Sequence, residues 1–393
     1  MFSRIASRLH AETNPLYRIR AQIESRGEQI LDLVSGNPNQ HGIFFPQEPL
    51  EASLIRGARQ ARCYHPDSLG QRPAREAISS YYRNQGLAIP PENILLTPGT
   101  SISYWYCFKL LADEGEEILC PRPSYPLFDY IAEMSGVRMV SYPMDEARAW
   151  AIDLDRLEAS ISTGTRAIIL ISPHNPTGHV ASLDEIHGLA EIARRHDLAI
   201  ISDEVFSEFL FESQVLPRAA ASAAPLVFTL NGFSKMFALP GLKLGWMTVS
   251  GQSDQVKDAI RSLELISDTF LPVNEMVQAA VPAIFEEGGT FLRFYAREIA
   301  QRWMEARRIL SRCTHFTFVE PGGGFYVTLK LQSIEEEPAA QAILATDHLL
   351  AHPGYFYDID PDHLVLSFIQ EPEIIRNGFL RLSAALEHVS RCP

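Results

Sequence analysis

The chain has 393 residues, of which 46% are hydrophobic and 21% charged, and its formal net charge is −14 at pH 7. This length and composition predict a large globular domain accompanied by a smaller one. The negative charge argues against nucleic acid or an anionic membrane surface as a partner, because both require a basic face.

The first 20 residues contain four arginines but neither the apolar stretch nor the cleavage site of a signal peptide. We interpret them as an amphipathic arm that includes Arg4, Arg8, Arg18 and Arg20. No apolar run in the chain approaches the roughly 18 residues that a membrane span requires. We therefore expect no membrane association.

The five cysteines are odd in number and widely scattered, without a CxxC pair: Cys63, Cys107, Cys120, Cys313 and Cys392. This distribution favours reduced thiols in a cytoplasmic protein over disulfides or a zinc site. The sequence predicts a cytoplasmic location and no metal.

Short apolar runs rich in branched side chains alternate with helical patterns through the first 280 or so residues. Six runs are bounded by turns, and we interpret them as strands buried on both faces, as in a parallel sheet. They are 116–121, 137–142, 166–172, 198–202, 226–230 and 244–249. The segment 182–196 is typical of a helix, with Ser182 as its N-cap and Glu185 completing a capping box. This alternation predicts a doubly wound α/β domain.

The pattern changes after residue 280 or so. A long helical segment, 288–313, is followed by an apolar run, another helix, a second apolar run and a terminal helix. We expect a smaller α+β domain here, with the apolar segment 30–38 packed back against it. The predicted division is a large domain of residues 46–285 and a small one formed by 1–45 together with 286–393, without a flexible linker.

Distinctive polar side chains follow three of the predicted strands. They are Asn175, Asp203 and Lys235. In open α/β sheets, ligands gather at the carboxyl ends of the strands. A fourth candidate is the turn Gly99-Thr100-Ser101, which opens an apolar helix whose free N–H groups and positive dipole end would suit a phosphate.

Each of these features alone has an ordinary structural explanation, as a turn residue, a helix cap or a solvated lysine. Together they supply an amide, a carboxylate, an amine and a phosphate cradle at one sheet edge. Pyridoxal phosphate requires this set. The lysine forms a Schiff base with the aldehyde, and the carboxylate keeps the pyridine nitrogen protonated, because a nearby negative charge favours the cation.

The order and spacing of several motifs resemble the class I/II pyridoxal phosphate aminotransferases of fold type I over nearly the whole chain. The motifs include SGNPN (35–39), TPGTS (97–101), SPHNPTG (172–178), SDEVF (202–206), SKMFALPGLKLGW (234–246) and PGGGFY (321–326). The resemblance implies a mainly parallel, seven-stranded-type sheet in a large pyridoxal phosphate-binding domain, with a smaller α+β domain. It also implies a homodimer with shared active sites.

The resemblance implies a role for each matching residue. Lys235 corresponds to the Schiff-base lysine and proton shuttle, Asp203 to the partner of the pyridine nitrogen, and Asn175 to the donor to the phenolic oxygen. Tyr125 corresponds to the ring that stacks on the cofactor.

Other positions match the family's phosphate and substrate contacts. The phosphate contacts are Gly99, Thr100, Ser101 and Ser234, together with Tyr64 toward the phosphate of the other subunit. Gly36 lies where the family's backbone lines the pocket for the substrate carboxylate.

Three residues depart from the family pattern. Lys243 replaces an arginine against the phosphate, giving a point charge instead of a two-pronged fork. Phe206 replaces a tyrosine and has no hydroxyl for the phenolic oxygen. Val365 replaces the arginine that grips the substrate α-carboxylate with two hydrogen bonds. Arg381, in the terminal helix, is interpreted as a helix-surface residue and not a replacement.

The leading functional hypothesis is an aminotransferase that moves an amino group from an amino acid or related amine to a 2-oxo acid through a Lys235 Schiff base. Because Val365 removes the usual carboxylate anchor, a pyridoxal phosphate-dependent lyase, decarboxylase or cyclase is the alternative. A non-enzymatic sensor of the cofactor ranks behind both, since the chain is acidic and has no DNA-binding extension.

Overall fold

A computed structural model of the chain describes residues 3, 5–6, 14–211 and 215–391. Arg4 and Arg8 of the predicted arm, and Cys392, lie outside the described residues. Within the described part of the arm, Pro15–Ser25 forms a helix whose N-cap Asn14 accepts a hydrogen bond from the Leu16 amide.

The centre of the molecule is an eight-stranded sheet. In spatial order its strands are Ile94–Thr97, Gly245–Gly251, Leu226–Gly232, Ala199–Asp203, Thr165–Ile171, Glu117–Arg122, Arg138–Asp145 and Ala151–Ile152. The five from Leu226–Gly232 to Arg138–Asp145 run parallel, and the outer pairings are antiparallel. All six predicted strands are confirmed, and Ile94–Thr97 and the two-residue strand Ala151–Ile152 are additions at the two edges.

Side chains alternate between the two faces of this sheet, as the twofold repeat of a strand requires. Ile169 and Ile201 pack in one apolar cluster, with residues of the helices Thr100–Leu111, Phe128–Ser135 and Ser253–Phe270. Their neighbours Ile168 and Ile200 pack in a second cluster, with residues of Leu154–Ala159 and Leu183–His196. Helices therefore cover both faces, as a doubly wound domain requires.

The helix Leu183–His196 begins as the sequence predicts. The Ser182 side chain accepts from the Glu185 amide, and the Glu185 carboxylate accepts from the Ser182 amide. This capping box satisfies two backbone donors that the first turn leaves without helical partners.

A second sheet of four antiparallel strands lies beyond residue 310 and has the order Phe316–Phe318, Tyr326–Leu331, His363–Ser367 and His352–Pro353. The two-residue strand Leu31–Asp32 pairs in parallel with Leu349–Leu350. This pairing confirms that the segment after residue 30 packs against the C-terminal part of the chain.

The remaining helices complete the fold. The α-helices are Gln47–Gln60, Arg72–Asn84, Phe233–Met236, Glu275–Leu310, Glu336–Asp347 and Pro372–Arg391. The 3-10 helices are Pro38–His41, Pro91–Asn93, Glu146–Arg148, Ala219–Ala221, Pro240–Leu242 and Gly354–Tyr357. Among the described helices, none is both long and apolar enough to cross a membrane.

Two details of the predicted strands are wrong. Gly245–Gly251 is buried as expected but runs antiparallel to both neighbours. Arg138–Asp145 is parallel to its neighbour but has several exposed or half-exposed residues, because only the two-residue strand Ala151–Ile152 lies beyond it. Near the expected domain boundary the chain forms one continuous helix, Glu275–Leu310, with Pro282 inside it.

Candidate active site

Lys235 lies in the single helical turn Phe233–Met236, directly after the strand Leu226–Gly232. Its Nζ donates to the carbonyl oxygen of Gly36 at 2.7 Å and lies 5.9 Å from the ring centre of Phe206 and 5.8 Å from that of Phe325. Burial lowers the pKa of Lys235 from 10.5 to about 8. A larger fraction of this amine is therefore neutral, and nucleophilic, at neutral pH than of an ordinary lysine.

Asp203 ends the neighbouring strand and is only 8% exposed. Its Oδ2 accepts from the Tyr104 hydroxyl at 2.8 Å, and its Oδ1 accepts from the Val205 amide at 3.1 Å. Burial raises the pKa of Asp203 from 3.8 to about 6, although the two hydrogen bonds oppose this shift. The carboxylate is therefore desolvated and would gain from a cationic partner.

Asn175 lies in the loop that follows the strand Thr165–Ile171. The strand register sets Ile171, Asp203 and Leu230 side by side, and the Ser172 amide donates to the Asp203 carbonyl at 3.0 Å. The three predicted polar groups thus leave the sheet from one edge. Asn175 Oδ1 is buried and has no hydrogen-bond partner among the described residues.

The proposed phosphate turn lies at the same edge. The strand register places Thr97, Gly245 and Gly232 side by side. The Gly99 turn follows Thr97, Ser234 follows Gly232, and Lys243 precedes Gly245, so all three lie at this end of the sheet. The packing is close, since a Cβ atom on Gly245 would lie 3.0 Å from Gly99 Cα.

Helix Thr100–Leu111 begins at this turn, with Gly99 as its N-cap at φ 140° and without a side-chain cap. A Cβ atom built on Gly99 would meet nothing within 4 Å, so the space in front of the helix is open. The first N–H groups of a helix have no acceptor within it, and here they border that open space. Lys243 is exposed nearby, in the left-handed conformation at φ 49°.

Tyr125 is half-buried and packs edge-on against Phe128, with ring centres 5.7 Å apart. Burial raises the pKa of Tyr125, and the nearby charge of Asp203 raises it further. Tyr64, by contrast, is 69% exposed on the loop before helix Arg72–Asn84. The described contacts do not join Tyr64 to the other site residues of its own chain.

Val365 is fully buried on the strand His363–Ser367. It belongs to an apolar cluster with Met144, Trp150, Tyr357 and Ile359, against which Tyr326 packs. The predicted surface position of Arg381 is confirmed, since it is exposed on the terminal helix and bonded to the Asp347 carbonyl.

Sequence reasoning missed two residues of this site. Tyr104 contacts Asp203 across 99 positions of sequence, and the only local signal was a phenol on an apolar helix, which needs a partner when buried. Tyr326 belongs to the PGGGFY motif, but the motif itself gave no role for its hydroxyl.

The fold and this site define a fold type I pyridoxal phosphate enzyme. The family model described as aminotransferase class I and II matches residues 28–385, and the chain belongs to this family. A glutamate-pyruvate aminotransferase from Haemophilus influenzae is 30% identical over 360 residues, covering 89% of this chain and 88% of the relative. The solved structure of an alanine aminotransferase from Pyrococcus furiosus superposes with a TM-score of 0.91 at 23% identity, covering 99% of this chain and 100% of the other.

A relative with another named activity also matches. It is an S-alkyl-thiohydroximate lyase from Arabidopsis thaliana, 32% identical over 276 residues, which cover 68% of this chain and 59% of the lyase. The enzyme is a pyridoxal phosphate-dependent aminotransferase by family, and members of this class work on amino acids and 2-oxo acids.

The residues present fit pyridoxal phosphate. The open space at Gly99 would admit its phosphate, the low-pKa amine of Lys235 would react with its aldehyde, and the desolvated carboxylate of Asp203 would gain a cationic partner in its ring nitrogen. When bound, pyridoxal phosphate supplies a ring that takes up the electron pair released at the substrate carbon.

Proposed function

We propose that Lys235 is the residue that binds the cofactor covalently and moves the proton during amino-group transfer. Support comes from its desolvated amine at the sheet edge that also presents Asp203 and Asn175. An amine with a pKa near neutrality can accept and return a proton within one turnover. This position of Lys235 is the observation on which the proposal depends.

Asp203 is proposed to hold the pyridine nitrogen in its protonated form. A positive charge beside the buried carboxylate would lower its pKa and repay the cost of desolvation. Tyr104 holds the carboxylate in place, since its hydroxyl donates to Oδ2. Tyr104 is thus a positioning residue for Asp203.

The other cofactor contacts are proposed from their places around this edge. Gly99, Thr100, Ser101, Ser234 and Lys243 form the phosphate cradle, and Tyr125 stacks on the ring. Asn175 donates to the phenolic oxygen without help from residue 206, since Phe206 is a hydrocarbon ring packed on Phe325. Gly36 and Val365 are proposed to line the substrate pocket.

The enzyme is proposed to be a homodimer in which Tyr64 reaches the phosphate of the partner subunit. Tyr64 is exposed on its loop, and large apolar side chains are exposed on helix Ser253–Phe270 and just after it, namely Leu265, Phe270 and Leu271. The Ser68 hydroxyl donates to Asp268 at 2.9 Å, which ties the loop to that helix end. An exposed apolar patch of this kind favours an interface between subunits.

The domain division at residues 46–285, with 1–45 and 286–393 forming the smaller unit, stays a proposal. The separate sheets on either side of the helix Glu275–Leu310 support it. Any movement between the two units would bend this helix, and Pro282 is where a bend costs least.

A cytoplasmic location also stays a proposal. It is supported by the thiols of Cys63, Cys107, Cys120 and Cys313, which are all unpaired. Disulfides are typical of oxidising compartments, and free thiols of reducing ones.

A lyase, decarboxylase or cyclase remains the alternative, because Val365 is buried in an apolar cluster where the family has an arginine. A half-reaction separates the two. Single amino acids, beginning with alanine and glutamate, are added to the holoenzyme, and the aminated cofactor and keto product are quantified. A transferase gives one equivalent of each, whereas a lyase gives a keto or elimination product while the cofactor stays unchanged.

A further inference from the structure

The hydroxyl of Tyr326 packs against Gly36, close to the amine of Lys235. A Cβ atom on Gly36 would lie 2.1 Å from Tyr326 Oη and 3.7 Å from Lys235 Nζ. The phenol and the reactive amine are therefore neighbours, and the missing side chain of Gly36 leaves room for the Tyr326 hydroxyl. A substrate held by Lys235 would have to fit beside this hydroxyl.

Packing fixes the Tyr326 ring. It lies edge-on to Phe206, with ring centres 6.2 Å apart, and packs against the apolar cluster that contains Val365. Within the described residues, its hydroxyl has no hydrogen-bond partner. A fixed phenol without a partner is poised to donate to a ligand.

The cross-strand partners of Val365, Thr328 and His352, supply no positive charge. His352 Nδ1 lies 3.2 Å from the Tyr357 hydroxyl and its Nε2 3.4 Å from the Tyr17 hydroxyl. Burial lowers the pKa of His352 to about 4, so the imidazole is neutral at neutral pH and supplies no positive charge to a carboxylate.

Asp32 places a negative charge near Tyr326. Asp32 accepts from the Val34 and Ser35 amides at 2.8 Å each, and its charge adds to burial in raising the pKa of Tyr326. Arg20 lies 4.0 Å from Asp32 and pairs with Glu24 at 2.9 Å, so its charge is already shared by two carboxylates. A substrate carboxylate placed here would meet Asp32 without a strong counter-ion of its own.

We propose that the Tyr326 hydroxyl positions the substrate in place of the missing arginine, so that the subsite selects by hydrogen bonding and shape and not by charge. A donor with an uncharged amide or alcohol next to the amine-bearing carbon is then accepted at least as well as the corresponding α-amino acid. This inference rests on the proposed function, because it assumes that the substrate amine reacts at Lys235.

The test compares alanine, alaninamide and alaninol in the half-reaction, since the three differ only in the group beside the reacting carbon. We expect alaninamide and alaninol to saturate the enzyme at concentrations equal to or below that for alanine. Alanine saturating at a more than tenfold lower concentration than both would overturn the inference, because the site would then select the carboxylate.

The Tyr326→Phe variant removes one oxygen and keeps the ring. We expect it to raise the saturating concentration of all three donors about tenfold, the worth of one hydrogen bond, with a smaller change in the maximal rate. Tyr355→Phe is the matched control, because the Tyr355 hydroxyl bonds to Asn14 at 2.6 Å, away from Lys235. Unchanged saturation in Tyr326→Phe would show that this hydroxyl does not hold the substrate.

A second readout needs no turnover. Isobutyrate and isobutyramide have the shapes of alanine and alaninamide without the amine, and their equilibrium binding to the borohydride-reduced holoenzyme is measured directly. We expect isobutyramide to bind at least as tightly as isobutyrate, and the opposite order by more than tenfold would refute the inference. Failure of borohydride to attach the cofactor would instead refute the proposed function.

Discussion

The substitution Asp203→Asn should affect stability and catalysis in opposite directions. The amide has the shape of the carboxylate. Its oxygen can still accept from the Val205 amide, and its NH2 group can donate to the Tyr104 hydroxyl oxygen, which reverses that hydrogen bond. The substitution removes the buried negative charge. In the cofactor-free protein no cation among the described residues pairs with this charge, so its removal should relieve a destabilising interaction.

The size of the effect follows from the pKa of Asp203, which burial raises from 3.8 to about 6. Each pKa unit corresponds to about 1.4 kcal/mol, so the charged form costs the native state up to about 3 kcal/mol. The native carboxyl group binds its proton more tightly than the unfolded one. The protonated Asp203 therefore makes its full contribution to the free energy of unfolding of the wild type below about pH 4, and this contribution is lost as the pH rises through about 6.

The asparagine variant lacks this pH dependence. Its buried amide donors carry a cost of about 1–3 kcal/mol if they stay unpaired, but that cost is the same at every pH. The diagnostic quantity is therefore the difference in free energy of unfolding between variant and wild type. We expect this difference to shift by about 3 kcal/mol in favour of the variant between pH 4 and pH 7, and to be flat above.

Urea unfolding of the two cofactor-free proteins, at one protein concentration and at several pH values, measures this difference. A difference that is independent of pH, or that moves against the variant as the pH rises, would refute the reasoning. With cofactor bound, the same variant should lose turnover by orders of magnitude, because an amide cannot keep the pyridine nitrogen protonated.

Three further predictions follow from the site. Tyr104→Phe should lower turnover about tenfold or more, because it removes a hydrogen bond to the Asp203 carboxylate. Tyr106→Phe on the same helix is the control. Equal effects of the two variants would contradict a specific role of Tyr104. Mixing inactive Lys235→Ala with inactive Tyr64→Phe should restore some activity in heterodimers, and no recovery under demonstrated subunit exchange would place Tyr64 in its own subunit's site. Aspartate and glutamate should saturate the wild type only weakly, and Val365→Arg should improve their binding slightly. Tight binding and fast conversion of these two amino acids by the wild type would show that another group has replaced the missing arginine.

Much of the fold could be predicted because its signals are local. The strand Thr165–Ile171 is a bounded run of branched apolar residues, and the helix after Ser182 carries its own capping box. The predicted parallel direction of Gly245–Gly251 is wrong, because central strands of either direction are buried on both faces. Strand direction depends on the connection between elements and not on the composition of the strand.

The polar groups of the site could be predicted from the sequence, because each of them follows a strand that ends at the same edge of the sheet. The contact between Tyr104 and Asp203 could not, since it joins a helix to a strand 99 positions away. Nor could the place of Tyr326, which depends on the close approach of Gly36 from the N-terminal segment to the second sheet. Such contacts exist only once the chain has folded.

The central claim is that Lys235 holds the cofactor, and borohydride reduction of the holoenzyme followed by peptide mapping tests it most directly. Lys243 provides an internal comparison, since it lies at the same edge but is exposed. We predict that the reduced cofactor is found on Lys235 in a stoichiometric amount. Its attachment to Lys243, or to any other lysine, would contradict the assignment of the active site.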